Sequence, residues 1–237
     1  MVDEPADGRL IRTARRFLRD TVEQFARLSR QYWDVVGEPP FIYSERQLHS
    51  VLFPAVVRAS DAAFVEHPIR RTQRRTSKDG CLVQSAASHG WIDYWVLCGS
   101  AVFLVELKQA FRGVSTEGAT LRLNGPWQAA IDQIGSITDD DAVDLATDAN
   151  RVAKIALMVI PAYARSLSSD NLETAERDEA LEAHVRMCSS MEPAPDWSAV
   201  WLLHERLQTA CEMWDGSWEL YPWVSFAAAI RPVASRS

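Results

Sequence analysis

The chain has 237 residues, of which 47% are apolar and 24% are charged, and its formal net charge is −7. This length and balance are typical of one sizeable globular domain, and no apolar run approaches the roughly 18–20 residues that a membrane-spanning helix needs. The first residues are acidic and contain no apolar core, so they do not resemble a secretory signal. We therefore expect a cytoplasmic protein with no membrane partner.

The charge is unevenly distributed along the chain. Residues 1–80 contain 14 Lys/Arg and 11 Asp/Glu, whereas residues 81–237 contain 11 and 21. An overall acidic balance argues against a generic nucleic-acid binder with a broad basic surface. Any phosphate backbone would have to be contacted by the N-terminal third.

The N-terminal third is predicted to begin with two helices. Apolar residues recur at the helical period over residues 10–37, and the Pro39-Pro40 pair ends that helix. A second helix is predicted to start at Ser44, a favourable N-cap, with Pro54 as its kink or the end of its first part.

The next predicted elements are β-strands. Residues 62–69 favour a strand, and a basic segment follows it as far as the Asp79-Gly80 turn. Two β-rich runs, residues 91–97 and 101–107, are separated by Cys98-Gly99-Ser100, which predicts a hairpin.

The second half of the chain is predicted to alternate helices and strands. We predict a loop over residues 111–124, a helix from Trp127 to about Ile137 with Pro126 in its first turn, and a buried strand over residues 152–160 that Pro161 closes. A helix over 170–188 and strands over 197–203 and 223–230 follow. This order predicts an α/β fold with a mixed central sheet flanked by helices. Residues 1–40 are predicted to form an N-terminal helical extension, and residues 41–237 the α/β domain.

Polar residues interrupt the hairpin strands at chemically informative positions. Because side chains alternate along a strand, Glu106 and Lys108 project from one face at the end of an apolar run. Asp93 is the acid inside the preceding apolar strand. Charged groups in such surroundings lose hydration energy unless they meet a partner, a metal ion or water. A short hairpin loop would bring these three side chains within reach of one another.

Two carboxylates and a lysine at a strand edge suit phosphodiester hydrolysis. Mg²⁺ prefers hard oxygen ligands and usually takes one or two carboxylates, and it can lower the pKa of a bound water. The ammonium group of Lys108 would orient the attacking water or stabilise the developing oxyanion.

The pattern Gly90-x-x-Asp93 followed by Glu106-x-Lys108 resembles the PD-(D/E)xK nuclease superfamily. The order of predicted elements over residues 44–160 is also similar to that of the superfamily's restriction-endonuclease-like fold. The resemblance implies a nuclease that depends on Mg²⁺, with Mn²⁺ as a substitute, and that acts on DNA rather than RNA. It implies Asp93 and Glu106 as metal ligands and Lys108 as a catalytic residue.

Two further residues fit positions that members of the superfamily use. Glu45 matches an acid on the first core helix, which the resemblance implies as a third metal ligand. Gln128 matches a glutamine early in the helix after the Glu-x-Lys strand, a supporting catalytic position in some subgroups. Asp132 stands where the RecB-like subgroup has a tyrosine, so the subgroup is left unassigned. Ile92 stands where proline commonly precedes the first acid, a variation that the superfamily tolerates.

Each of these candidate residues also fits a simpler, purely structural interpretation. Glu106 and Lys108 also fit a same-face ion pair at a strand end. Glu45 fits an acid favoured by the dipole of its helix, and Gln128 fits a residue of a surface helix. The basic segment fits either phosphate contacts or a solvated loop; its members are Arg70, Arg71, Arg74, Arg75 and Lys78.

At the level of function, three alternatives stay open. The first is an active nuclease, and the second is a nuclease-like fold that serves as a binding or regulatory module. The third is an unrelated α/β protein in which the Glu-x-Lys pair is structural. A homodimer and a protein partner are both compatible with the sequence.

Overall fold

The structure is a computed structural model that describes residues 6–76, 82–114, 120–146, 151–172, 176–208 and 210–234. For residues 6–7, 72–76, 82–88, 120–122 and 205 it describes the backbone alone. Within these ranges none of the helices combines the length and apolar character needed to cross a membrane.

Helices and strands alternate through the described part of the chain. In chain order the elements are α1 (Ala6–Val36), α2 (Glu45–Arg58), β1 (Ala62–Thr76), β2 (Leu82–Cys98), β3 (Ala101–Gln109), β4 (Arg112–Gly113), α3 (Thr120–Gly135), α4 (Asp139–Asp144), β5 (Arg151–Ser166), α5 (Arg177–Ser189), β6 (Trp197–Leu202), β7 (Cys211–Glu212) and β8 (Trp218–Pro232).

The strands form one mixed sheet, in the order β1-β2-β3-β5-β8-β6. Strands β3 and β5 are parallel, whereas β1–β2, β2–β3, β5–β8 and β6–β8 are antiparallel pairs. The short strands β4 and β7 pair with β5 and β8. An α/β fold with a mixed sheet flanked by helices, as predicted, is therefore confirmed.

Helices cover both faces of the sheet. Alternate residues of β3 divide between the two layers: Phe103 and Val105 pack with α1 and α2, and Leu104 packs with the side that holds α4. Helices α3 and α5 cover the same side as α4, over β5 and β8. The result is a three-layer sandwich with apolar cores above and below the sheet.

Helix α1 belongs to this sandwich as one of its layers. The ring centroid of Phe17 lies 5.3 Å from that of Phe103, and that of Phe25 lies 5.6 Å from that of Phe226. All four side chains are buried. The helical segment predicted as an extension over residues 1–40 therefore shares its hydrophobic core with the strands, with no break in packing near residue 40.

Two proline positions differ from the sequence predictions. Helix α3 begins at Thr120, inside the predicted loop, so Pro126 lies in its interior and not in its first turn. Leu123 and Trp127, one turn apart, are both fully buried, and their packing offsets the hydrogen bond that Pro126 cannot donate.

Strand β5 continues past Pro161 to Ser166, which the sequence did not predict. The carbonyls of Val159 and Tyr163 accept hydrogen bonds from Ala110 and Val114, so the nitrogen of Pro161 points to the same side. The neighbouring chain is interrupted there, between β3 and β4. The N–H that proline lacks is therefore not needed by the sheet.

The hairpin strands separate near Asp93. Residue pairs between β1 and β2 omit Glu66 and Asp93, and Glu66 has a φ of 54°. The β2–β3 ladder ends at Tyr94 and Val105. Ile92 and Tyr94 pack into different cores although they are two residues apart, so β2 changes its orientation at Asp93 and leaves β3.

Beyond this point β1 and β2 pair only with each other. Residues 69–76 and 82–90 form a two-stranded ribbon that extends past the end of the β2–β3 ladder. The basic segment predicted to follow the strand is therefore part of β1 as far as Thr76.

His184 provides a test of the packing of α5. Its Nδ1 lies 3.0 Å from Ser225 Oγ and its Nε2 lies 3.1 Å from Ser198 Oγ. Burial lowers the pKa of His184 below the usual value, and the charge of Arg112 acts in the same direction. The imidazole of His184 therefore binds a proton more tightly in the unfolded chain than in the folded one. We expect the stabilising contribution of neutral His184 to be fully present above the histidine pKa of the unfolded chain and to be lost as the pH falls below it.

Urea unfolding at pH 7.5 and pH 5.5 measures this effect. His184→Gln keeps hydrogen-bonding groups for both serines and removes the titration, so its unfolding free energy should depend less on pH. The exposed His89→Gln should behave as the wild type. Equal pH dependence of His184→Gln and the wild type would contradict the assignment.

Candidate active site

Charged side chains converge where β2 leaves β3. Lys108 Nζ lies 3.4 Å from Glu106 Oε1 and 3.6 Å from Glu45 Oε1. Glu45 is the first residue of α2, where the helix dipole favours a carboxylate, and its Oε2 accepts the backbone N–H of Gln109 at 2.9 Å. The structure thus brings Glu45 of a helix to the Glu106-x-Lys108 strand end.

Asp93 is held at the same strand end by the backbone. Its Oδ2 accepts the N–H of Leu107 at 2.7 Å, in a place where the β2–β3 ladder has already ended. The carboxylate therefore replaces the strand carbonyl that would otherwise accept this hydrogen bond. None of the hydrogen bonds among the described residues uses its second oxygen, Oδ1.

Arg71 lies inside the site, which the sequence did not predict. Its Nη2 lies 2.9 Å from Glu106 Oε2 and also donates to the carbonyl of Trp91. Its Nη1 donates to Gln133 O at 2.8 Å and to Ser136 Oγ at 3.2 Å. The side chain is only 13% exposed. The sequence left Arg71 in a basic segment that fits either phosphate contacts or a solvated loop, and its guanidinium is instead bonded to Glu106, Trp91, Gln133 and Ser136.

The glycine of the Gly90-x-x-Asp93 pattern has a structural explanation in the position of Arg71. A Cβ at residue 90 would lie 2.8 Å from both Cδ and Nε of Arg71. Real Cβ atoms do not approach heavy atoms so closely, so any other residue would displace the arginine. The absence of a side chain at Gly90 therefore provides the space through which the Arg71 side chain reaches Glu106.

Glu106 is the most deeply buried of the three acids Glu45, Asp93 and Glu106. Burial raises the pKa of Glu106, and the negative charge of Asp93 raises it further. The charges of Arg71 and Lys108 and the hydrogen bond from Arg71 lower it. A buried carboxylate next to another acid is a common feature of catalytic and metal sites.

A histidine–tyrosine pair lies beside these acids. Tyr94 Oη and His49 Nδ1 are 2.7 Å apart, and His49 follows Glu45 by one helical turn. Burial and then the charges of Asp93 and Glu45 raise the pKa of Tyr94 well above its usual value. His49 has no predicted role, although its i, i+4 spacing from Glu45 places both on one helix face.

Other predicted residues are not placed in this cluster by any contact among the described residues. Gln128 is exposed on α3 and donates to Asp132 Oδ1 at 2.9 Å, so it is a surface residue of that helix here. Arg70 is exposed at the base of the ribbon. The side chains of Arg74 and Arg75, and the whole of Lys78, lie outside the described residues.

The donor set can be compared with the needs of a magnesium ion. Among the described residues, no group of three or more Asp, Glu, His or Cys side chains is arranged to hold a metal ion. Asp93 and Glu106 are hard-oxygen donors, and the negative charge of Asp93 lies close enough to raise the pKa of Glu106. Such a pair suits Mg²⁺, because this ion often takes two carboxylates and several waters. Glu45, paired with Lys108, fits a supporting role better than that of a third ligand.

In comparisons with known proteins, no protein-family model, no curated protein and no solved structure matches this chain. Any function must therefore be inferred from its own residues.

Two substitutions of Asp93 separate its structural and chemical contributions. Asp93→Ala leaves the N–H of Leu107 without its acceptor, so we expect a loss of about 1–3 kcal/mol in unfolding free energy. Asp93→Asn can keep the hydrogen bond through its amide oxygen and should cost less, but it removes the charge. Urea unfolding measures the stability of both, and equal losses for the two variants would show that the N–H bond is unimportant.

Proposed function

We propose that the protein is a Mg²⁺-dependent nuclease of restriction-endonuclease-like fold that hydrolyses phosphodiester bonds in DNA. The observation that carries this proposal is the pairing of Lys108 with Glu45 and Glu106 at the separation of β2 from β3, where Asp93 also accepts the backbone N–H of Leu107. The order of the longer elements from α2 to β5, helix, three strands, helix and strand, also agrees with the superfamily that the motif resembles; the two-residue β4 and the six-residue α4 are additional.

Each side chain of the cluster has a distinct task in this proposal. Asp93 and Glu106 would bind the metal ion, which when bound lowers the pKa of a water and neutralises phosphate charge. Lys108 would donate to the attacking water or to the non-bridging phosphate oxygen, because its ammonium is held between two carboxylates and is only 19% exposed. Glu45 would hold the Lys108 ammonium and the backbone of Gln109 in place.

Arg71 would act as a positioning residue for Glu106. Its guanidinium is fixed by Gln133 and Ser136 of the α3 region as well as by Glu106. It would therefore fix one carboxylate oxygen and leave the other directed at Lys108 and the ion. Its positive charge also opposes the rise in the pKa of Glu106, which favours the ionised form that a metal needs.

A second candidate is a nuclease-like fold that serves as a binding or regulatory module. The Arg71–Glu106 ion pair favours it, because the guanidinium already balances the carboxylate that the metal would use. In that case Arg71 replaces the ion and no hydrolysis occurs.

Cleavage assays with the purified protein distinguish the candidates. Linear, circular and single-stranded DNA and RNA are incubated with Mg²⁺ or Mn²⁺, and EDTA is added to parallel samples. For the nuclease we expect DNA cleavage that EDTA abolishes and that is lost in Glu106→Gln, a variant with nearly the same shape. Comparison of linear with circular DNA also shows whether cleavage requires a free DNA end.

Thermal unfolding with and without Mn²⁺ gives an independent readout. A rise in melting temperature that Asp93→Asn removes, without cleavage of any substrate, would favour the binding module. Absence of both cleavage and metal stabilisation would contradict the proposed site.

A further inference from the structure

A basic groove lies between α1 and the edge strand β6, apart from the candidate active site. It has a volume of about 790 Å³, and its lining includes five arginines and one tryptophan: Arg9, Arg12, Arg15, Arg16, Arg19 and Trp197. Arg15 is anchored there by a 3.1 Å hydrogen bond to the carbonyl of Asp196, which ties the helix to the start of β6.

The charge of this surface contrasts with the rest of the chain. No acidic residue occurs between Asp7 and Asp20, and Arg19 pairs with Asp20 and Glu23. No ion pair among the described side chains involves Arg9 or Arg16, and both are exposed. A solvated helix face normally mixes the two signs of charge, so a run of five arginines in an acidic protein indicates a polyanionic ligand.

The spacing of the arginines suits a nucleic-acid backbone. Arg9, Arg12, Arg16 and Arg19 follow the i, i+3, i+7 and i+10 positions of one helix face, opposite the buried Leu18 and Phe17. At 1.5 Å per residue they span about 15 Å. Duplex DNA presents about nine phosphate charges over that length.

The sheet relates the position of the groove to the strand that carries the candidate active site. Trp197 pairs with Ala228, Ala228 with Leu157, and Leu157 with Leu107. Trp197 therefore lies on the same row of the sheet as the Glu106-x-Lys108 strand end. Three steps of about 4.8 Å place the backbones of Trp197 and Leu107 about 14 Å apart. Leu107 faces the layer of α1 and α2, whereas the neighbouring Glu106 faces the layer of α3.

We propose that the α1–β6 groove binds the phosphate backbone of DNA. The choice of DNA as the polyanion rests on the proposed nuclease function, whereas the phosphate-binding role rests on the groove's own charge and shape. The arginines would give an affinity that depends on salt and not on base sequence. The groove thus supplies the substrate contacts that the acidic composition of the chain otherwise lacks.

A binding experiment in EDTA tests the groove without cleavage. Fluorescence anisotropy measures the affinity for a labelled 30-base-pair duplex between 50 and 200 mM salt. The test variant is Arg9→Gln/Arg16→Gln, and the matched control is Arg177→Gln/Arg186→Gln, which removes two exposed charges from α5. We expect the test variant to bind about tenfold more weakly at low salt and to lower the slope of log Kd against log salt by about 2, whereas the control should match the wild type.

Three outcomes would overturn the proposal. The first is equal DNA affinity of the test variant, control and wild type. The second is an equal loss in test and control variants, which would indicate only a change in net charge. The third is binding of labelled polyglutamate as tight as that of DNA with the same dependence on Arg9 and Arg16, which would identify an acidic protein as the occupant.

Cleavage rates of the same variants in Mg²⁺ separate this proposal from the proposed function. If the wild type cleaves DNA and Arg9→Gln/Arg16→Gln changes neither binding nor rate, the proposed role of the groove is wrong and the proposed nuclease function is supported. If binding depends on salt and is weaker in the double variant, but neither the wild type nor any variant cleaves DNA, the proposed role of the groove is supported and the proposed nuclease function is contradicted.

Discussion

Replacing Lys108 with alanine is expected to slow DNA cleavage by at least about 100-fold at saturating substrate. Its ammonium lies between the carboxylates of Glu45 and Glu106, so it is fixed before substrate binds. Removal of one preorganised donor to transition-state charge typically costs about 10²–10³ in kcat. Single-turnover cleavage at saturating Mg²⁺ measures the chemical step directly.

Two controls keep this result interpretable. Lys108→Met retains most of the side-chain volume without the charge and should be as slow as Lys108→Ala. Thermal unfolding of both variants tests whether the fold is retained, because Glu45 and Glu106 would then lack their shared cation. Cleavage at the wild-type rate by a folded Lys108→Ala variant would exclude a catalytic role.

The second large effect is expected from the pair Gly90 and Arg71. Gly90→Ala should lower the unfolding free energy by about 1–3 kcal/mol, because the new methyl group forces the arginine out of its path. Arg71→Ala leaves the buried Glu106 carboxylate with less compensation and should cost about 3–5 kcal/mol. Urea unfolding measures both.

The double variant is the sharpest part of this test. If Gly90 is needed only to admit Arg71, Gly90→Ala should have almost no effect in the Arg71→Ala background. Gly125→Ala is a matched control, because a Cβ there meets no atom within 4 Å and alanine favours the helix. Additive losses for Gly90→Ala and Arg71→Ala would show that Gly90 has another role.

Most of the secondary structure could be predicted from periodicity and turn residues. The helix over residues 10–37, the hairpin at Cys98-Gly99-Ser100 and the alternation of helices and strands are local patterns, and the structure contains them. The errors occurred where long-range packing overrides local preference. Pro126 is accommodated because neighbouring side chains are buried, and Pro161 because the adjacent strand is interrupted, and neither condition is visible along the sequence.

The candidate site was predictable to the same extent. Asp93, Glu106 and Lys108 are marked by acids and an amine within apolar strands, and Glu45 by its place after a helix N-cap. Arg71 could not be assigned, because it stands in a run of bases that looks uniformly solvated. The inward direction of the Arg71 side chain follows from the space beside Gly90 on the paired strand, and this contact between strands is not visible along the sequence.

The ribbon that extends past β3 has a consequence for any ligand that it binds. Strand β1 is continuous from the sheet into the ribbon, and Arg71, near the ribbon's base, holds Glu106. A displacement of the ribbon would therefore change the charge around Glu106, one of the two proposed metal ligands. If the proposed metal binds there, thermodynamic linkage makes this effect reciprocal: a ligand that shifts the ribbon would change metal affinity by the same factor by which the metal would change affinity for that ligand.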